Sequence, residues 1–128
     1  MKIFLDDQMN EPKMPNRRVP EGFVGVRDFE EFRQVLEEAL ASGEKIEALS
    51  FDNDLGDGKK EGWEIAKWLT EVHPEIFEGI GELKVHSENR GGGRKSIESY
   101  FEDGRVHWKE LIEAKSRPHP WGEMERRI

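Results

Sequence analysis

Leu49-Ser50-Phe51-Asp52-Asn53-Asp54-Leu55-Gly56-Asp57-Gly58 is the stretch that decides the fold. An apolar run suited to a buried strand stops at two carboxylates one residue apart. A charged loop containing glycine follows, and a helical pattern begins at about Glu61. Open α/β sheets place their ligands outside the carboxyl ends of the strands, so an acidic pair there is a candidate cation site. Near the N-terminus Lys2-Ile3-Phe4-Leu5 runs into Asp6-Asp7 in the same way. Two strands that each end in acidic pairs predict one shared site for a hard cation.

Outward from this stretch the chain alternates. Residues 2–5 read as a strand buried on both faces. Residues 8–22 contain Pro12, Pro15 and Pro20 and no helical period, so a loop replaces a crossover helix. Residues 23–27 form a second strand. Asp28 caps a helix with Glu31 three residues on, and Phe29, Phe32, Val35, Leu36, Ala39 and Leu40 share one face before Gly43 stops it. Ile46 to Phe51 is the third strand. Residues 61–72 make a second amphipathic helix through Ile65, Ala66, Trp68, Leu69 and Val72, ending near His73-Pro74, and a connector follows. Residues 83–87 are a short fourth strand. The turn from Asn89 to Gly93 leads to a third helix carrying Ile97, Tyr100 and Phe101, with a break expected at Gly104 and a last helix to about Lys115. This order implies an α/β fold with a mainly parallel sheet, as a domain over 1–115, and an irregular tail over 116–128 with Pro118, Pro120 and Trp121.

Composition narrows the function. The 128 residues suit one domain with a real core. Only 34% are hydrophobic and 38% are charged, so the surface is densely ionic. The absence of cysteine excludes thiolate metal sites and cysteine nucleophiles and fits a reducing, cytoplasmic setting. No apolar run is long enough to span a membrane, and the opening strand-like segment does not follow a signal-peptide plan. A net charge of −8 argues against general coating of duplex nucleic acid. The charge is uneven, however: acid gathers on the helices, and Lys13, Arg17, Arg18, Arg90, Arg94 and Lys95 gather in or beside loops that follow strands.

Leu5-Asp6-Asp7, Ser50-Phe51-Asp52-Asn53-Asp54-Leu55-Gly56, Gly62-Trp63-Glu64-Ile65-Ala66-Lys67-Trp68-Leu69 and Val85-His86-Ser87-Glu88-Asn89 occur in this order. Together they resemble the cyclic-phosphate-processing receiver-like domain family, a divergent relative of two-component receivers. The match covers roughly residues 1–103. The resemblance implies a receiver-like (flavodoxin-like) open sheet of about four strands flanked by helices, without the first receiver helix, and with a C-terminal helix and tail beyond it. It implies processing of a cyclic phosphate, either a 2′,3′-cyclic RNA end or a small cyclic nucleotide, in RNA repair or in bacterial and phage conflict. The chain departs from the family pattern in three places. Asn53 stands where a histidine is usual, Gln8 and Met9 stand where Arg and then Pro are usual, leaving Arg17 or Arg18 to substitute, and Arg90 replaces a common proline.

The resemblance assigns chemistry to particular residues. Mg²⁺ takes one to three protein oxygens and keeps water or substrate for the rest. Asp6, Asp7 and Asp52 would hold it, with Asp54 as a further ligand or a cap on its loop. Either acidic pair alone reads equally well as turn or N-cap residues. His86 would move a proton at the phosphodiester, or simply hydrogen-bond backbone at a strand end. Asp52 and Asn53 join it as candidate catalytic residues. Ser87, Asn89, Arg90, Gly91, Gly92 and Arg94, with Arg17 and Arg18, would cradle the phosphate at a helix N-terminus; the alternative is a flexible glycine turn. The leading expectation is a Mg²⁺-dependent cyclic phosphoesterase. A module that binds a cyclic nucleotide or phosphate end without cleaving it is the alternative. A phosphoacceptor receiver using Asp52 is disfavoured, because no ordinary first helix follows Asp6-Asp7.

Overall fold

The structure, a computed structural model, is described for residues 1–12, 18–86 and 92–116. Four strands form one sheet: β1 (Lys2–Leu5), β2 (Phe23–Val26), β3 (Ala48–Phe51) and β4 (Glu82–Val85). Their order is β2-β1-β3-β4, and every neighbouring pair is parallel. Among the described residues three helices connect or follow them: α1 (Phe29–Ala41), α2 (Gly62–Val72) and α3 (Gly92–Ser116), with a short 3-10 turn over Pro74–Phe77. This is the expected receiver-like α/β plan, and the described residues between β1 and β2 form no helix. No helix among the described residues is long and apolar enough to cross a membrane.

The register sorts the strand residues onto two faces. Ile3, Val24, Leu49 and Leu83 pair across the sheet, as do Leu5, Val26, Phe51 and Val85. These rows meet the helices: Ile3, Leu5, Val26, Leu49 and Phe51 join Phe32 and Leu36 of α1, Ile65 and Leu69 of α2, and Ile97 and Phe101 of α3 in one buried cluster. Phe51 is its hub, edge-on to Phe32 at 5.2 Å and to Phe101 at 5.1 Å. Burying a side chain of this size is worth about 1.5–3 kcal/mol relative to exposure, so the end of β3 is held firmly from below. The intervening residues Phe4, Gly25, Ser50 and Lys84 share the opposite face.

Local signals explain the helix limits. Asp28 accepts a hydrogen bond from the Glu31 backbone at 2.9 Å, and Glu31 turns back to the Arg27 N–H at 3.1 Å. Glu61 and Glu64 make the reciprocal capping box that starts α2. The break expected at Gly104 falls three residues later: the chain stays helical through Gly104 and kinks at His107 (φ −115°, ψ 20°), where one helix passes into a last one that ends at Ser116. Gly104 is buried where a Cβ would come within 2.6 Å of Phe77, so the glycine serves close packing of α3 on the 3-10 turn. A helix tolerates one glycine when contact repays the roughly 1 kcal/mol it costs.

Candidate metal centre at the carboxyl edge of the sheet

Backbone pairing continues one residue past each strand, and this places the chemistry. The Asp6 N–H donates to the Val26 carbonyl (3.0 Å), the Asp52 N–H to Leu5 (2.9 Å) and the His86 N–H to Phe51 (3.0 Å). Because Leu5 pairs with Phe51, and Phe51 with Val85, the residues that follow them stand side by side across the edge. Asp6 and Asp52 are almost wholly buried, at 0% and 1% exposure, and Asp7 is half-buried.

Among the described residues, Asp6, Asp7 and Asp52 form a group in which one carboxylate oxygen from each lies within 4.8 Å of the others. Three carboxylates at this separation repel one another, and a divalent cation among them converts the repulsion to attraction. An all-oxygen donor set from few residues suits a hard, hydrated ion such as Mg²⁺. The residues present therefore fit the metal. Asp54 stands apart from this trio: it is exposed, and its carboxylate accepts from the Gly56 N–H at 3.1 Å, closing the turn after β3.

Each acid is oriented by its surroundings. Asp6 Oδ1 accepts from the Gln8 N–H (2.8 Å), and Oδ2 from His86 Nε2 (3.1 Å). Asp52 Oδ1 accepts from the Asn53 N–H at 2.9 Å. Asn53, expected as a catalytic residue, is 4% exposed and joins the loop to two helices. Its carbonyl accepts from the Gly62 N–H (2.7 Å), and its side-chain Oδ1 from the Trp63 N–H (3.1 Å). A Cβ at Gly62 would strike the Asp52 carbonyl, and one at Gly93 would strike the Asn53 amide. These two glycines let the N-termini of α2 and α3 press directly on Asp52-Asn53. Helix N-termini favour negative charge, so both macrodipoles support anions at this edge.

His86 is 13% exposed at its side chain. Its ring lies flat against Phe4, with centroids 4.2 Å apart and planes 7° from parallel. Nδ1 is 2.8 Å from Ser50 Oγ. Ser50 and Phe4 were not singled out by sequence reasoning. The available signal was spacing: each lies two residues before an acid, Asp52 or Asp6, and so on the same strand face.

The other expected phosphate contacts divide. Ser87, Asn89, Arg90, Gly91 and Arg17 lie outside the described residues. Gly92 opens α3 beside Gly93. Arg94, one turn into the helix, reaches Glu98 at 3.3 Å and lines a groove of about 470 Å³ against β4 with Lys84 and Val85. Arg18 is exposed in the β1–β2 loop.

An open parallel sheet of order β2-β1-β3-β4, with an acidic trio at the carboxyl ends of its two central strands, defines a receiver-like domain. A family model for the cyclic-phosphate processing receiver domain matches residues 1–103, and the chain belongs to that family. No curated protein and no solved structure matches the chain.

Proposed function

We propose that the domain is a metal-dependent phosphoesterase that opens a cyclic phosphate, at a 2′,3′-cyclic RNA end or in a small cyclic nucleotide. The observation that carries the reading is the trio of Asp6, Asp7 and Asp52 oxygens within 4.8 Å, in a chain whose family is tied to cyclic-phosphate processing. These three side chains would hold Mg²⁺. When bound, the ion supplies positive charge to phosphoryl oxygens and a more acidic bound water. The N-terminal turn of α3, opening at Gly92 and packed on Asn53, favours the substrate's negative charge. In the reaction a water oxygen bonds to phosphorus and gives up a proton, one ring P–O bond breaks, and the departing sugar oxygen takes a proton, so the cyclic diester becomes a phosphomonoester beside a free hydroxyl.

Incubation with RNA ending in a 2′,3′-cyclic phosphate, and with cyclic dinucleotides, tests this. Hydrolysis that requires Mg²⁺ and disappears in Asp52→Asn is expected; intact substrates at high wild-type concentration would remove the enzyme reading. A second reading, capture without cleavage, is favoured by Asn53. At the position where the family pattern usually has histidine, this chain has a buried amide whose oxygen accepts from the Trp63 N–H and which packs closely against Gly93. Calorimetric binding of a cyclic nucleotide that is recovered intact would select it.

A further inference from the structure

Ser50, on the central strand β3, is 4% exposed in an otherwise apolar tetrapeptide, Ala48-Leu49-Ser50-Phe51. Burying a hydroxyl without a partner is costly, and here the partner is His86 Nδ1 at 2.8 Å. The other ring nitrogen, Nε2, meets Asp6 Oδ2 at 3.1 Å. An ionised carboxylate only accepts, so the nitrogen facing it, Nε2, is the place for the ring proton, and the tautomer that carries it there leaves Nδ1 to accept from the serine O–H. Turning the ring over would put carbon atoms where both nitrogens stand and lose both hydrogen bonds. Phe4, in register with Ser50 on the same face, stacks flat on the ring and limits its tilt.

We propose that Ser50 and His86 are positioning residues: Ser50 fixes the Nε2–H tautomer of His86, and His86 fixes the rotation of the Asp6 carboxylate in the metal-binding trio. Both ring nitrogens are engaged within the protein and one ring face is covered. Proton delivery to a substrate by His86 would require breaking the bond to Ser50 or to Asp6. The consequence for metal binding rests on the cation reading of the trio; the tautomer does not. Groups that orient a metal-binding carboxylate in this way are typically worth about 10–100-fold in affinity or activity.

The test combines Mg²⁺ titration by calorimetry with nitrogen-15 spectra of the His86 ring in the metal-free protein. The wild-type spectrum should show one Nε2–H tautomer. Ser50→Ala should mix tautomers, and Ser50→Thr, which keeps the hydroxyl, should restore one. His86→Ala should weaken Mg²⁺ binding by about 10–100-fold. His86→Gln, whose amide N–H can reach Asp6 from the place of Nε2, should recover most of that affinity, and any hydrolysis should follow Mg²⁺ affinity across these proteins. A His86→Gln protein that binds Mg²⁺ normally but has lost turnover would overturn the proposal in favour of proton transfer. Unchanged Mg²⁺ affinity in a folded His86→Ala protein, or an unchanged tautomer in Ser50→Ala, would also overturn it. If the wild type hydrolyses nothing, the enzyme reading fails while titration and spectrum still decide this one. If it binds no Mg²⁺, the cation reading fails and the spectrum alone decides the Ser50–His86 pair.

Discussion

Gly62→Ala probes the tight seat of α2 on the candidate site. The added Cβ would strike the Asp52 carbonyl and come within 3.0 Å of Asn53 Cα, both backbone atoms of the loop that carries the trio's buried third member. Neither atom can yield without moving the loop, so the helix must withdraw. Withdrawal stretches two hydrogen bonds, Gly62 N–H to the Asn53 carbonyl (2.7 Å) and Trp63 N–H to Asn53 Oδ1 (3.1 Å). At about 1 kcal/mol each, with about 1–3 kcal/mol for overpacking, the cost is about 3–5 kcal/mol. Alanine's better helix propensity offsets at most about 1 kcal/mol of this. The expected net loss is therefore about 2–4 kcal/mol, or roughly 8–16 °C in Tm for a domain of this size. Urea denaturation followed by tryptophan fluorescence measures it, and Mg²⁺ affinity should fall in the same variant. A Gly62→Ala protein as stable as wild type, with equal Mg²⁺ affinity, would refute the close seat of α2 on Asp52-Asn53.

Four further outcomes follow from the same geometry. Asn53→Leu should destabilise the protein by about 1–3 kcal/mol, because the part-buried Trp63 N–H loses its acceptor; chemical denaturation reads this directly. Asp54→Ala should leave Mg²⁺ affinity within experimental error by calorimetry, since that carboxylate serves the Gly56 turn outside the trio. Mg²⁺ at about 100 times its Kd should stabilise the folded state by about 2.7 kcal/mol, and a chelator should reverse the rise in Tm. Asp7→Ala should diminish that stabilisation.

The fold was legible where local patterns and burial agree. The apolar runs 2–5 and 46–51, the Asp28 cap and the apolar face from Phe29 to Leu40 each point to the element observed, and their alternation implied the parallel sheet. Acidic residues directly after two strands were enough to bring Asp6, Asp7 and Asp52 together, because neighbouring parallel strands end at the same edge. Long-range partners were not legible. Gly104 looks like a breaker in isolation, and nothing nearby reveals that Phe77 fills the space its side chain would need. Asn53 looks like an active-site residue between two aspartates, and nothing beside it in sequence reveals that its side-chain oxygen accepts from the Trp63 N–H at the start of α2 or that its amide packs against Gly93 at the start of α3. Ser50 looks like an incidental polar residue in a strand until its partner 36 residues away is known.

The proposed chemistry requires a divalent cation among Asp6, Asp7 and Asp52. Calorimetric titration of the metal-free protein with Mg²⁺, in parallel with Asp52→Asn, tests this most directly. One saturable site in the wild type, lost in a folded Asp52→Asn protein, is the predicted result. No binding to the wild type, or equal binding by both, would contradict it.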